Sequence, residues 1–197
     1  MGGAFNPPHE GHLALARTAH SQLGLDRVIL LVTSQAPHKA IEADPGPEAR
    51  LELARAASAS EPWLEASRIE LDRPGPSYTY LSLEQVAEAH PGAEIWLVLG
   101  MDAAASLPEW ERPDTVLAVA GLAVAGRPGA DLSFEDLRDR LAAIPGLTTE
   151  PRLFELQMRP TDASSTAARE AMGDGAGPGD MVPAAVAKVI DDWDLYE

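Results

Sequence analysis

Hydrophobic residues along the chain fall into short runs separated by longer mixed segments. Three runs are mainly aliphatic, RVILLVT (27–33), EIWLVLG (94–100) and GLAVAG (121–126), as expected of strands that are buried on both faces. Shorter runs at 68–72 and 152–156 also predict strands. Continuous aliphatic strands are typical of parallel sheets that are covered by helices.

The segments between these runs carry apolar residues near helical spacing. In HLALARTAHSQLGL, Leu13, Ala16 and Leu23 follow this spacing, and Gly24 is a candidate C-cap. Further helices are predicted over 48–60, 80–90, 112–120, 133–144, 164–172 and 182–193.

Capping residues support three of these helices. Ser133 is followed by Asp136 three residues later, which predicts a capping-box start. Pro113 lies near the first position of its helix, where proline is favoured. Ser77 or Thr79 can cap the helix over 80–90.

The alternation of strands and helices predicts an α/β protein with a Rossmann-like, doubly wound parallel sheet. The 197 residues suit a single domain over 1–197, with a C-terminal helical part at about 164–197. No apolar run approaches the roughly 20 residues of a membrane span, and no signal peptide is recognisable.

The charge of the chain limits its partners. The formal net charge is −16, which disfavours nucleic acid and anionic membranes as partners. An anionic ligand would need a local pocket of cations and backbone N–H groups. The sequence has no cysteine, which excludes disulfides and thiolate chemistry and fits a cytoplasmic protein.

The first twelve residues have a pattern suited to phosphate binding. In GGAFNPPHEGH (2–12), Gly2 and Gly3 are expected to close a tight turn that lets backbone N–H groups approach a ligand. His12 lies at the start of the next helix, whose dipole favours an anion, and His9 is three residues earlier. Both imidazoles could reach one phosphate chain. The alternative is a Gly/Pro loop with surface histidines.

The stretch SSTAAR (164–169) predicts a second phosphate site. Ser164, Ser165 and Thr166 open a helix with hydroxyls and N–H groups, and Arg169 follows one turn later. The alternative is an ordinary serine N-cap with a solvated arginine. The histidine motif about 150 residues upstream favours the phosphate interpretation.

Together these motifs resemble the G-x-F-x-P-x-H-x-G-H and S-S-T-x-x-R signatures of the nucleotidyltransferase superfamily. Four further segments, in order, are similar to bacterial nicotinate-nucleotide adenylyltransferases: APHK (36–39), PSYTYLSLE (76–84), residues 97–129 and MVPAAVAKVIDDWDLY (181–196). The resemblance implies adenylyl transfer from ATP to nicotinate mononucleotide, giving deamido-NAD and pyrophosphate in NAD biosynthesis.

The resemblance also implies which residues act. The implied catalytic residues are His9, His12, Lys39 and Arg169. The residues implied in ATP binding are Gly2, Gly3, Ala4, Phe5, His9, His12, Gly100, Asp102, Arg127, Ser164, Ser165, Thr166 and Arg169. The residues implied in binding nicotinate mononucleotide are Lys39, Tyr78, Thr79 and Trp110.

Some of these residues have a purely structural alternative. Lys39 could be solvated in its loop rather than reach the triphosphate. Asp102 could cap the next turn rather than accept hydrogen bonds from ribose hydroxyls at the carboxyl edge of the sheet. Trp110 could belong to the core rather than stack on the nicotinate ring. Arg127 ends a buried strand at the same edge, where it could contact phosphate or nucleotide.

The reaction that the resemblance implies needs no protein nucleophile. The phosphate of nicotinate mononucleotide attacks the α-phosphorus of ATP in line, so the protein positions the substrates and stabilises charge. The histidines, Lys39 and Arg169 are expected to supply positive potential. Mg²⁺ would be carried by ATP with few protein ligands, and we predict no metal-binding residues. The sequence leaves the oligomeric state open.

Two other functions remain open at the level of sequence. One is a different adenylyltransferase or cytidylyltransferase of the same superfamily. The other is a nucleotide-binding relative without catalysis, because the family usually has isoleucine where Ala163 and Ala168 stand and places a buried strand before Gly2 and Gly3. We expect the natural protein to begin several codons earlier, with that strand. If it does not, we expect a mobile glycine loop and weakened ATP binding.

Overall fold

The computed structural model describes residues 1–37, 40–126, 132–159 and 161–196. The chain divides into two compact units, one of Met1–Ser77 with Thr161–Glu197 and one of Tyr78–Pro160. The single domain over 1–197 stays a prediction.

Each unit contains a three-stranded parallel sheet. The strands of the first unit are β1 (Gly2–Gly3), β2 (Val28–Val32) and β3 (Leu64–Ser67), in the order β1-β2-β3. The strands of the second unit are β4 (Trp96–Gly100), β5 (Gly121–Ala125) and β6 (Leu153–Leu156), in the order β4-β5-β6. The predicted α/β class with parallel strands is confirmed.

The helices alternate with these strands along the chain. They are α1 (Glu10–Leu23), α2 (Pro47–Ser58), α3 (Thr79–Ala89), α4 (Met101–Ser106), α5 (Pro113–Val119), α6 (Phe134–Ala142), α7 (Ser165–Gly173) and α8 (Ala184–Asp192). Among the helices within the described ranges, none is both long and apolar enough to cross a membrane.

Three predicted helix ends are confirmed. Gly24 follows α1 in the left-handed conformation, with φ at 62°, and its N–H donates to the carbonyl of His20. Ser133 and Asp136 form the predicted capping box at α6. Pro113 is the first residue of α5.

The predicted cap of α3 is wrong. The N-cap position is held by Tyr78, and Thr79 is already helical. The hydroxyl of Ser77 instead accepts hydrogen bonds from the backbone N–H groups of Ser34 and Gln35, at 3.0 and 3.3 Å. Ser77 is therefore used to fix the loop after β2, because those N–H groups have no sheet partner there.

Two further elements differ from the prediction. The strand expected over 68–72 is a turn, because the carbonyl of Arg68 accepts from the N–H groups of Leu71 and Asp72, and β3 ends before it. The helix α4 was not predicted. It follows β4 directly and buries only Met101 and Ala104, so its short sequence has little helical periodicity.

The glycine pair does not form the expected turn. Gly2 and Gly3 lie opposite Leu31 and Val32 as strand β1, and the ladder continues through the carbonyl of Met1, which accepts from the Leu31 N–H at 2.9 Å. Because Gly2 and Gly3 are extended, the chain turns only after them. The loop mobility and weakened ATP binding expected from the sequence stay predictions.

Candidate functional site

The chain turns between β1 and α1 at Phe5 rather than at the glycines. Phe5 has a positive φ of 52°, and its side chain is only 1% exposed. Its ring lies against Gly3, where an added Cβ would be 3.3 Å from the ring. The absence of a side chain at Gly3 therefore lets the Phe5 ring pack closely against the backbone, and the conformational freedom of glycine is not used here. Ala4 and Phe5, implied in ATP binding by resemblance, belong to this turn, which is followed by a cis peptide bond between Asn6 and Pro7.

The two histidines lie together at the start of α1. His9 is the N-cap residue, and its backbone N–H donates to Nδ1 of His12 at 3.2 Å. His12 thus has the part that glutamate usually has in a capping box. The two ring centroids are 3.8 Å apart. The two imidazoles therefore lie side by side, and the prediction that both reach one phosphate chain stays a prediction.

Gly11 makes this pairing possible. A Cβ at Gly11 would lie 3.0 Å from the imidazole of His9 and from the Thr161 methyl group. Any side chain at this position would therefore force the His9 ring or Thr161 to shift by a few tenths of an ångström. The need for glycine at this position of H-x-G-H is therefore steric, and the sequence alone does not reveal it.

The hydrogen bond at His12 defines its protonation. Because Nδ1 accepts from a backbone N–H, it carries no proton, and the proton of a neutral ring is on Nε2. Burial lowers the pKa of His9 to about 4. Burial, with the nearby His9, lowers the pKa of His12 to about 3. Both rings are therefore neutral near pH 7 in the free protein, and any positive potential that they supply there comes from their N–H dipoles.

The serines at the start of α7 are engaged with the protein itself. Ser164 is the N-cap, and its hydroxyl accepts from the Ala167 N–H at 3.1 Å. The hydroxyl of Ser165 donates to the carbonyl of Pro7 at 2.8 Å. Thr166 is exposed. The structural alternative therefore describes Ser164 well, and Ser165 contacts the loop that leads to the histidines.

Arg169 also contacts this loop. Its guanidinium donates to the carbonyl of Asn6 at 2.8 Å and lies 3.6 Å from the carboxylate of Glu42. The Arg169 side chain is only 15% exposed. This excludes the alternative of a solvated arginine. The motif SSTAAR thus meets the histidine motif through the backbone of Asn6 and Pro7.

Arg50 is a residue of this site that sequence reasoning missed. Its side chain is fully buried, with its guanidinium donating to the carbonyls of Ala4 at 3.1 Å and Thr33 at 2.5 Å. Its Nε donates to Asp44 at 2.8 Å. A signal was present, because Arg50 stands three and seven residues before Leu53 and Ala57, on the apolar face of α2.

Arg50 joins the carboxyl ends of β1 and β2. Ala4 follows β1 and Thr33 follows β2, so one guanidinium satisfies carbonyls where both strands leave the sheet. This edge of parallel strands is the place where α/β proteins bind ligands. The buried cation therefore shapes the loop in front of His9 without being exposed itself.

The sequence-predicted residues of the second unit lie around α4. Gly100 is the N-cap of α4, and Asp102 is exposed in its first turn. Trp110 packs partly against the aliphatic core, and its Nε1 donates to the hydroxyl of Ser106 at 3.0 Å. Trp110 therefore has a structural role in the free protein and keeps part of its surface exposed.

Two tyrosines flank the first residue of α3. Tyr78 and Tyr80 stack with centroids 6.1 Å apart. Thr79 begins α3. The remaining predicted residues, Lys39 and Arg127, lie outside the described residues.

No group of three or more His, Asp or Glu residues that could hold a metal ion occurs within the ranges that the structure describes.

Comparisons with known proteins place this geometry in a family. A family model described as cytidylyltransferase-like matches residues 1–171. A protein of Roseiflexus sp. (strain RS-1) named "Probable nicotinate-nucleotide adenylyltransferase" is 38% identical over 197 residues, which cover all of this chain and 96% of the relative. A protein of the same name from Dehalococcoides mccartyi (strain CBDB1) is 35% identical over 198 residues and is covered to 95%.

The fold has a match among solved structures. The nicotinic acid mononucleotide adenylyltransferase of Plasmodium falciparum, solved in complex with NaAD, superposes with a TM-score of 0.75 at 15% identity. The superposition covers 99% of this chain and 94% of the other. At this identity the likeness supports the fold.

Proposed function

The chain belongs to the cytidylyltransferase-like family, among the nicotinate-nucleotide adenylyltransferases, and we propose that it transfers the adenylyl group of ATP to nicotinate mononucleotide through the histidine pair at α1. The products are deamido-NAD and pyrophosphate. Both full-length relatives carry the name of this activity. The cytoplasmic location stays a prediction.

The observation that carries the site assignment is the fixed orientation of His12. Its Nδ1 is held by the His9 backbone N–H, so Nε2 presents an N–H on the other side of the ring. A neutral N–H donor beside a helix N-terminus suits phosphate oxygens. Because the donor is already oriented, it needs little reorganisation when charge develops in the transition state.

The reaction follows from these donors. An oxygen of the nicotinate mononucleotide phosphate forms a bond to the α-phosphorus of ATP, and the bond from that phosphorus to the bridging β-phosphate oxygen breaks. Pyrophosphate takes the electron pair of the broken bond. We assign to His9, His12 and the N–H groups of α1 the stabilisation of charge on the phosphoryl oxygens.

The other predicted residues keep the roles that the resemblance implies. Lys39, Arg127, Ser165, Thr166 and Arg169 would contribute to phosphate binding. The residues for the nucleosides and the ring would be Gly100, Asp102, Tyr78, Thr79 and Trp110. Mg²⁺ would arrive with ATP, because triphosphate oxygens are its preferred ligands and it uses few protein groups.

Pyrophosphate release tests the proposal directly. The purified protein is given ATP with nicotinate mononucleotide, ATP with nicotinamide mononucleotide, and CTP with each acceptor. We expect rapid release with ATP and nicotinate mononucleotide. Release with CTP only would indicate a cytidylyltransferase, and ATP binding without release under any condition would indicate a non-catalytic protein. The comparison of the two acceptors gives the preference for a carboxylate or an amide on the ring.

A further inference from the structure

The C-terminal segment contacts the loop between β1 and α1 through one side chain. The hydroxyl of Tyr196 donates to Oδ1 of Asn6 at 2.6 Å. The two residues are 190 positions apart, and Asn6 is only 3% exposed. This hydrogen bond lies within the first unit and has no part in the function derived above.

Asn6 connects three segments of the first unit. Its Nδ2 donates to the carbonyl of Glu42 at 2.7 Å, and its own carbonyl accepts from Arg169 at 2.8 Å. Because Oδ1 accepts from Tyr196 while Nδ2 donates to Glu42, the amide can satisfy both partners in one orientation only. The Glu42 carbonyl, which can only accept, therefore fixes the direction of the Asn6 amide, and the Tyr196 hydroxyl satisfies the buried Oδ1 in that direction.

The backbone near Tyr196 indicates that this contact is specific. Tyr196 has a positive φ of 70°, and Asp194 has one of 49°. Non-glycine residues in this region cost energy and persist where surrounding contacts hold them. Burial also raises the pKa of Tyr196 above its usual range, so its hydroxyl keeps its proton and stays a donor at neutral pH.

We propose that Tyr196 is a positioning residue for adenylyl transfer, acting through Asn6 on the loop that carries His9. Asn6 precedes His9 by three residues, and its carbonyl is held by Arg169. Without the hydroxyl, the buried Oδ1 of Asn6 loses its donor, and the Asn6 side chain is held through Nδ2 alone. The loop then loses a fixed position in front of the histidines. This inference rests on the proposed function.

The test is Tyr196→Phe, which removes one oxygen and keeps the ring. We expect kcat/KM for ATP to fall about tenfold, the cost of one lost hydrogen bond to a buried group. We expect the melting temperature to fall by a few degrees, because the buried Oδ1 of Asn6 is left without its donor. Trp193→Phe is the matched control, because Trp193 is in the same segment and is 51% exposed. It should behave as the wild type.

A double-mutant cycle tests the route through Asn6. If Tyr196 acts through Asn6, Asn6→Ala with Tyr196→Phe should have the same kcat/KM as Asn6→Ala alone. Additive losses would overturn the proposal, because they would give Tyr196 an independent effect. Wild-type kcat/KM in Tyr196→Phe would overturn it as well.

Hydrogen exchange gives a readout that does not need activity. Tyr196→Phe should speed amide exchange in the segment 3–12, and Trp193→Phe should not. Unchanged exchange in Tyr196→Phe would contradict the coupling even if the wild type released no pyrophosphate. Failure of the proposed function, in contrast, would appear as absence of release by the wild type.

Discussion

The starts of helices α1 and α7 have the same predicted chemistry and different structures. At α1, His12 Nδ1 accepts from the backbone N–H of the N-cap residue His9, and the Nε2–H lies on the opposite side of the same ring. At α7, the hydroxyl of Ser164 caps the helix, and Ser165 and Arg169 donate to backbone carbonyls of Pro7 and Asn6. We propose that the first start presents a donor to a ligand, whereas the second holds the loop that leads to that donor.

The difference teaches that two phosphate motifs need not act alike in the free protein. Hydroxyls and a guanidinium at a helix N-terminus are good phosphate ligands in principle. In the structure they are donors to the protein, so a phosphate would have to replace those contacts. We therefore propose direct phosphate binding as the main role of the α1 start and loop positioning as the main role of the α7 start.

The largest expected effect is at α1. His12→Ala should lower kcat for adenylyl transfer by roughly 100- to 1,000-fold, the cost of removing one oriented donor to a transition state. The fold should remain, because the substitution leaves the core intact. Initial rates of pyrophosphate release and a thermal melt measure the two quantities. Near-normal turnover in a folded variant would remove His12 from the site.

The sequence predicted those parts of this site whose residues are close together along the chain. The H-x-G-H spacing and the helical pattern after it were enough to bring His9 and His12 together at the start of α1. Their neutral state was not predictable, because it depends on burial and on a hydrogen bond within the folded loop. Strands β2, β4, β5 and β6 followed from the aliphatic runs, and most helices followed from the helical spacing between them.

The residues that sequence reasoning missed act over long distances in the chain. Arg50 left a local signal on the apolar face of α2, although its partners Ala4 and Thr33 come from other elements. Tyr196 left none, because nothing in the sequence connects it with Asn6 across 190 positions. Helix α4 was missed since six residues give too little periodicity.

A second substitution distinguishes binding of the nicotinate ring from binding of the phosphates. Trp110→Ala should weaken nicotinate mononucleotide roughly 10- to 100-fold, which is the range for loss of one stacking platform, while ATP is affected far less. The KM values of both substrates measure this. Trp193→Ala is a control with an exposed tryptophan. Equal losses for the two substrates would make Trp110 a structural residue and leave the contrast between the helix starts untouched.

A smaller effect is expected at α7. Ser165→Ala removes the hydrogen bond to the Pro7 carbonyl and should lower kcat/KM roughly two- to tenfold. If Ser165 positions the loop, amide exchange in the segment 3–12 should rise together with this loss. Glu170→Gln, at an exposed position of the same helix, serves as the control. A lower affinity for ATP with unchanged loop exchange would instead make Ser165 a direct ligand, and the two helix starts would be alike.

The remaining prediction concerns stability rather than activity, through its dependence on pH. The folded pKa values of His9 and His12, about 4 and 3, lie below the ordinary value of 6.5. The unfolded state therefore binds more protons between about pH 3 and pH 6.5, and the free energy of unfolding falls as pH falls through this window. Above pH 6.5 the contribution is complete.

Chemical denaturation at pH 7.5 and pH 5 measures this dependence. The wild type should lose stability at the lower pH, and His12→Gln should lose less, because one titrating group is gone. The same loss in both proteins would mean that His12 is not buried as a neutral ring. The start of α7 has no histidine within its motif and should contribute nothing to the slope.

The most direct test of the account compares His12→Gln with His12→Asn. A glutamine amide N–H reaches about as far as Nε2, whereas an asparagine amide oxygen reaches about as far as Nδ1. Steady-state rates with ATP and nicotinate mononucleotide should leave His12→Gln at least about tenfold more active than His12→Asn, since the account places the catalytic contact at Nε2 and the helix cap at Nδ1. Equal or greater activity in His12→Asn would contradict it.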